Sequence, residues 1–181
     1  MEKKPQNRKL YIISILCAVI GIILDQYTKF LAVTHLKEAP FSIIDGVFEL
    51  HYLENRGAAF GVLQNQQWFF LIIGTVLSIL IAGLYVRLPQ EKRLLPLRIC
   101  MVLITAGAIG NMIDRVRLNY VIDFLYFKLI DFPIFNVADI YVTVATFAIV
   151  LLILFYYKEE ELDQFFKKLS WKHKAKAEQE H

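Results

Sequence analysis

Long apolar runs alternate with short polar stretches along this chain, and the runs approach membrane-spanning length. Four are legible, about Leu10 to Phe30, Trp68 to Val86, Leu94 to Asn111 and Asn136 to Tyr157. Each is close to the roughly 20 residues that a helix needs to cross a bilayer. The pattern predicts an all-α membrane protein with four transmembrane helices. The first run reaches spanning length only by carrying Asp25 and Lys29 inside it. It follows basic residues as a signal peptide would, but it ends in DQYTK and not in a small-residue cleavage site, so it is read as an uncleaved anchor.

The connections have a different texture. Phe41 to Leu53 partly alternates around Val47, Glu49 and His51 and contains Asp45-Gly46, which predicts a short hairpin lying on the membrane surface. Val121 to Phe135 is rich in aromatic and β-branched residues and contains Pro133. It reads as a short extended segment that lets the chain re-enter the membrane at Asn136. Together these form a small β-like region outside the bilayer. The organisation is then a four-span domain over residues 1–157 and a charged tail over residues 158–181, with Phe165, Phe166, Leu169 and Trp171 set among its charges. Both an amphipathic helix on the membrane surface and a solvated tail fit that tail.

Charge sets the orientation. Fourteen of the 20 Lys and Arg residues fall in the N-terminus, in the connection from Arg87 to Arg98, or after Tyr157. The six others belong to the opposite side, which, with the outer ends of the spans included, also has nine of the 17 acids. By the positive-inside rule both termini are cytoplasmic, and the net charge of +3 is a topology signal, not a nucleic-acid signal. The composition, 57% hydrophobic with mean hydropathy +0.48, excludes an ordinary soluble domain of 181 residues. Cys17 and Cys100 both lie in apolar runs, in no zinc or redox spacing, and are expected to be packing residues.

Against this background the polar residues between Thr105 and Thr146 need a reason. Asn111, Asp114, Arg115, Asp123, Asn136 and Asp139 stand at the mouths of two spans, and an ionised side chain in hydrocarbon costs about 2.5 to 3.5 kcal/mol even on a lenient scale. At 1.5 Å per residue, Asp139 lies about 27 Å above Tyr157, Asn111 and Asp114 about 20 to 24 Å above Arg98, and Asp25 about 22 Å above Leu10. Three spans deliver carboxylates to one outer layer. Asp123 and Asp139 are separated by a re-entering segment, so their side chains can meet where the fourth span begins. Two carboxyls held close share one proton; one can deprotonate a water while the other protonates the carbonyl it attacks. That is aspartic peptidase chemistry, and it uses no metal or other cofactor. The rival catalysts lack their motifs: there is no HExxH and no GxSxG, and Ser42 is the one serine on the outer side.

The motifs match a family. DQYTK at 25–29, NRGAAFG at 55–61, GAIGNMIDR at 107–115, VIDF at 121–124 and FNVAD at 135–139 come in chain order, and with them the chain resembles lipoprotein signal peptidase, signal peptidase II, the membrane aspartic peptidase of bacteria. The resemblance implies that Asp123 and Asp139 are the catalytic pair. It implies that Asp25, Asn55, Gly57, Gly107, Asn111, Arg115, Asn136 and Ala138 support or line the site, and Lys29 and Asp114, which lie inside the same motifs, join them as candidates for substrate binding or site support. It further implies a multi-pass enzyme of the bacterial cytoplasmic membrane, its site toward the outer face. Its partners would be membrane lipid and prolipoproteins, cut on the N-terminal side of a diacylglyceryl-modified cysteine, and it would act as a monomer. Two departures are visible: Ala106 replaces the first of two glycines in the third motif, and Ile140 stands where a small polar residue often follows the second aspartate.

Each supporting residue also has a plainer reading. Asp25 and Lys29 are an i, i+4 pair able to neutralise each other. Gly107 and Gly110 fit a close helix-packing face, Asn55 fits a turn cap as well as a substrate contact, and Asn111, Asp114 and Arg115 fit a self-satisfied helix terminus. Two other classes of function compete: a small proton-coupled transporter, which would spread acids across the membrane depth, and a non-catalytic assembly protein, in which both aspartates would be replaceable.

Overall fold

A computed structural model of the chain describes residues 8–57 and 65–161. Its framework is four long helices, α1 (Arg8–His35), α2 (Gln67–Arg87), α3 (Leu95–Leu118) and α4 (Val137–Leu151), the last running on through a π-helical turn at Leu152–Tyr156. All four are long and apolar enough to cross a membrane, as expected. The tail beyond Glu161, and with it the expectation for Phe165 to Trp171, lies outside the described residues.

Two helices outrun their sequence-derived ends. α1 continues past Phe30 to His35, and α3 continues past Asn111 to Leu118. A charged residue bounds a membrane span where its charge must reach water; here Lys29 pairs with Asp114 across α1 and α3, so both helices carry their charges inside and continue. α3 stops at Asn119, whose left-handed backbone (φ 60) turns the N–H back onto the carbonyl of Arg115.

At the end of the bundle where α1 and α3 finish and α4 begins sits a three-stranded antiparallel sheet in the order β1 (Phe41–Ile44), β2 (Phe48–Asn55), β3 (Val121–Tyr126). The β1–β2 hairpin turns at Asp45-Gly46, with Gly46 at φ 73. The segment expected only to be extended supplies the third strand: β3 pairs with β2 with Leu53 opposite Asp123 and Asn55 opposite Val121. Residues alternating along a strand share a face, so Leu53, Asn55 and Asp123 lie on one side of the sheet. The other side is held down by an apolar cluster in which Ile122 and Phe124 meet Ala32 and Leu36 of α1.

The bundle closes around α3, where small residues allow close approach. A Cβ on Gly107 would stand 2.5 Å from the carbonyl oxygen of Ala138, and one on Gly110 would stand 2.5 Å from Asp25 Oδ2. Ala106 is accommodated because α1 offers Gly21 opposite it; a Cβ there would lie 3.4 Å from the Ala106 methyl. Ile140 is exposed. Cys100 is buried as expected, whereas Cys17 is exposed, because its face of α1 carries the apolar side chains that a membrane helix turns to lipid and not to a core. Both thiols are free.

Candidate active site

The site grows out of the start of α4. Asn136 is the N-cap: its Oδ1 accepts from the backbone N–H of Asp139 (3.0 Å), while Asp139 Oδ2 accepts from the backbone N–H of Asn136 (3.1 Å). This reciprocal capping box satisfies two donors that a helix start leaves open. It also fixes the Asp139 carboxylate in one orientation.

Asn136 joins Asp139 to Asp123. Its side-chain Nδ2 donates to Asp123 Oδ1 at 2.6 Å, and Asn55 Nδ2, from the neighbouring strand, donates to Asp123 Oδ2 at 2.8 Å. Asn111 Nδ2 on α3 donates to the remaining oxygen, Asp139 Oδ1, at 2.8 Å. All four oxygens of the two carboxyls thus accept from amides, three of them asparagine side chains. Asp123 is buried (1% exposed), and Asn136 is fully buried. Burial first, and then the neighbouring Asp139 charge, push the Asp123 carboxyl up to about 7. The Asn55 and Asn136 donors and the Lys29 charge oppose that rise.

Around the pair lies a second polar layer. Asp25 and Lys29 are buried (0% and 1% exposed). Lys29 Nζ reaches Asp25 Oδ2 at 3.0 Å, Asp114 Oδ2 at 2.9 Å and Asn111 Oδ1 at 2.8 Å. Asp25 Oδ1 accepts from the backbone N–H of Ala138 at 3.0 Å, and Asp114 Oδ2 accepts from that of Ile122 at 3.2 Å. Lys29 and Asp25 are therefore more than a local pair, and Asn111 and Asp114 more than a helix terminus; each ties its helix to another element. Gln26 was not singled out by sequence reasoning, yet its amide meets Asp114 Oδ1 (2.9 Å) and the Gly110 carbonyl (3.2 Å). An uncharged amide beside Asp25 in a spanning helix was the available signal.

The remaining candidates take lesser positions. Asn55 acts as more than a turn cap, since its Oδ1 accepts from the Gly57 N–H (2.9 Å) while its Nδ2 holds Asp123. Arg115 donates from Nη1 to the Asn111 carbonyl (3.4 Å), lies over the Phe70 ring of α2 (4.8 Å), and its buried Nε has no partner among the described residues. Residues 58–61 of the NRGAAFG motif lie outside the described residues. Among the described residues no group of three or more His, Cys, Asp and Glu is placed to hold a metal.

The family model for signal peptidase (SPase) II matches residues 17–155. The lipoprotein signal peptidase of Streptococcus pyogenes serotype M5 (strain Manfredo) is 43% identical over 158 residues, covering 86% of this chain and 97% of the relative. That of serotype M3 (strain ATCC BAA-595 / MGAS315) matches at the same identity and coverage. The chain belongs to the signal peptidase II family. Solved bacterial membrane enzyme structures obtained by the in meso method agree: one at 2.3 Å resolution has a TM-score of 0.72 at 33% identity, covering 88% of this chain and 97% of its own. A second, at 1.9 Å, has a TM-score of 0.69 at 33% identity, covering 87% and 99%. As a signal peptidase II family member the chain is a multi-pass membrane protease.

Proposed function

We propose that this enzyme removes signal peptides from prolipoproteins on the N-terminal side of a diacylglyceryl-modified cysteine, with Asp123 and Asp139 as the catalytic pair. The observation that carries the reading is Asn136. One residue donates to Asp123 Oδ1 and forms the capping box with Asp139, which brings two acids 16 positions apart into one site.

The pair shares one proton. Within it we assign the proton to Asp123, whose carboxyl is pushed up to about 7. Asp139 takes a proton from a water lying between the carboxyls as the water oxygen bonds to the scissile carbonyl carbon. Asp123 gives its proton to the carbonyl oxygen. The tetrahedral intermediate collapses as the C–N bond breaks: the proton on Asp139 passes to the departing amine of the modified cysteine, and one of the two hydroxyls returns its proton to Asp123 as the C=O bond re-forms. The amide donors keep both carboxyls fixed through these transfers, so little reorganisation is needed. No metal or cofactor enters the scheme.

The distribution of basic residues supports cytoplasmic termini, with the sheet and the dyad toward the outer face. There the substrate's acyl chains stay in the bilayer while its peptide bond meets the acids at the boundary. Residues 1–157 form the peptidase unit, 158–181 a cytoplasmic tail, and the enzyme acts as a monomer. The test is incubation of the purified protein with a diacylglyceryl-modified prolipoprotein peptide and with its unmodified twin, the products being read by mass spectrometry. Cleavage directly before the modified cysteine supports the reading. Equal cleavage of the unmodified twin removes the lipid from it.

A further inference from the structure

The ammonium of Lys29 is buried between α1 and α3. It stands in the apolar bundle with all three of its hydrogens used, on Asp25 Oδ2, Asp114 Oδ2 and Asn111 Oδ1. Two of these partners would satisfy its charge. The third is the amide whose other end holds Asp139, because Asn111 Nδ2 donates to Asp139 Oδ1 at 2.8 Å.

An asparagine amide has an oxygen end and a nitrogen end, and its neighbours decide which faces where. A donor at Oδ1 forces Nδ2 toward the opposite side. Lys29 supplies such a donor with a full charge, and Asn136 Nδ2 supplies a neutral one at 3.1 Å. A charged donor is the stronger of the two and polarises the amide it binds, strengthening the bond at the far end.

We propose that Lys29 is a positioning residue of the catalytic pair: through Asn111 it locks the amide that donates to Asp139, and its charge sets the pH range in which the pair holds one proton. The proposal rests on the assignment of Asp123 and Asp139 as the dyad. The charges facing the pair are Lys29 and Asp25 on α1 and Asp114 and Arg115 on α3, with Tyr141 on α4 facing Asp25. Lys29 opposes the rise of the Asp123 carboxyl. Removing it lets the carboxyls hold protons to higher pH.

The experiment measures kcat, KM and their pH profiles on a diacylglyceryl-modified prolipoprotein peptide. The proteins are wild type, Lys29→Met, Lys29→Met/Asp114→Asn, Asn111→Ala and Lys29→Met/Asn111→Ala, each checked for folding by thermal melting in detergent. Lys29→Met leaves two carboxylates without their partner, so the Asp114→Asn combination, which removes one of them, stands in if the single variant does not fold. The expected result is a fall in kcat of about tenfold or more with KM within about twofold, and a pH profile displaced upward by about one unit. In the Asn111→Ala background Lys29→Met is expected to change kcat little further.

A folded Lys29→Met variant with an unshifted profile overturns the proposal, as does a loss that multiplies in full with that of Asn111→Ala; in Lys29→Met/Asp114→Asn, which removes an opposing charge as well, unaltered kcat is the result that overturns it. If neither Met variant folds, Asn111→Ala decides alone, since it keeps every charge; unaltered kcat and profile in it overturn the proposal. An Asp139→Asn control separates the two levels. Turnover by that variant defeats the dyad itself, whereas an inactive Asp139→Asn beside silent Lys29 variants defeats only the role of Lys29.

Discussion

Asp25 on α1 accepts a hydrogen bond at 3.0 Å from the backbone N–H of Ala138, 113 positions later in the chain, in the first turn of α4. That N–H is one of the donors a helix start leaves open, and here another helix satisfies it. The same carboxylate pairs with Lys29, so a single buried side chain ties α4 to the charged layer beneath the dyad.

Asp25→Ala should therefore destabilise by about 3 to 5 kcal/mol, since it leaves a buried N–H open and weakens the pairing of Lys29. Asp25→Asn keeps an acceptor for Ala138 and should lose less, with activity reduced but not abolished. Unfolding in detergent compares the two; an Asp25→Ala protein as stable as wild type contradicts this role.

Gly107→Ala and Gly110→Ala place a methyl group 2.5 Å from the Ala138 carbonyl oxygen and 2.5 Å from Asp25 Oδ2, respectively. Neither neighbour is a free side-chain end, so the helices must separate. We expect a loss of about 1 to 3 kcal/mol for each, with a fall in kcat as Asn111 is drawn from Asp139. Melting temperatures and turnover of both variants check this, and unchanged values show looser contacts of α3 with α4 at Gly107 and with α1 at Gly110.

The ionisation of Asp123 couples to stability. Its carboxyl is raised from 3.8 to about 7 in the fold, so between those values the folded protein holds a proton that the unfolded chain has released. By linkage this contribution makes stability fall as pH rises from about 4 to about 7, by at most about 4 kcal/mol, and level off above. Unfolding measured across that window should show a shallower pH slope for Asp123→Asn than for wild type. Equal slopes contradict the raised carboxyl.

Asn55 donates to Asp123 Oδ2 and so opposes the rise of that carboxyl. Asn55→Ala should move the pH profile of cleavage upward by about one unit, beyond any loss of rate. A profile that keeps its position while the rate falls assigns Asn55 to substrate contact alone.

What could be read in advance was depth; what could not was rotation and long-range pairing. Spacing along the spans placed Asp25, Asn111, Asp114 and Asp139 at one level, and the structure keeps them there. Which way each side chain turned depends on how the helices rotate against one another, and no single run of apolar residues records that. Hence Lys29 read equally well as a local partner of Asp25, although it also bridges to Asp114 and Asn111. β3 was invisible as a sheet strand because its partner β2 lies 66 or more residues earlier at every register position, as with Asn55 and Val121. The hairpin at Asp45-Gly46 was legible since a two-residue signal suffices for it. The close contacts at Gly107 and Gly110 were readable as a packing face, but not that the second one shelters a carboxylate.

The most direct test of the central claim is cleavage of a diacylglyceryl-modified prolipoprotein peptide by wild type, Asp123→Asn and Asp139→Asn, each confirmed folded and each assayed with and without a chelator. With Asp123 and Asp139 as a metal-free dyad, wild type cuts before the modified cysteine whether or not the chelator is present, and both variants lose cleavage by about 10³-fold or more. Substantial turnover by either folded variant, or loss of wild-type activity in the chelator, would contradict it.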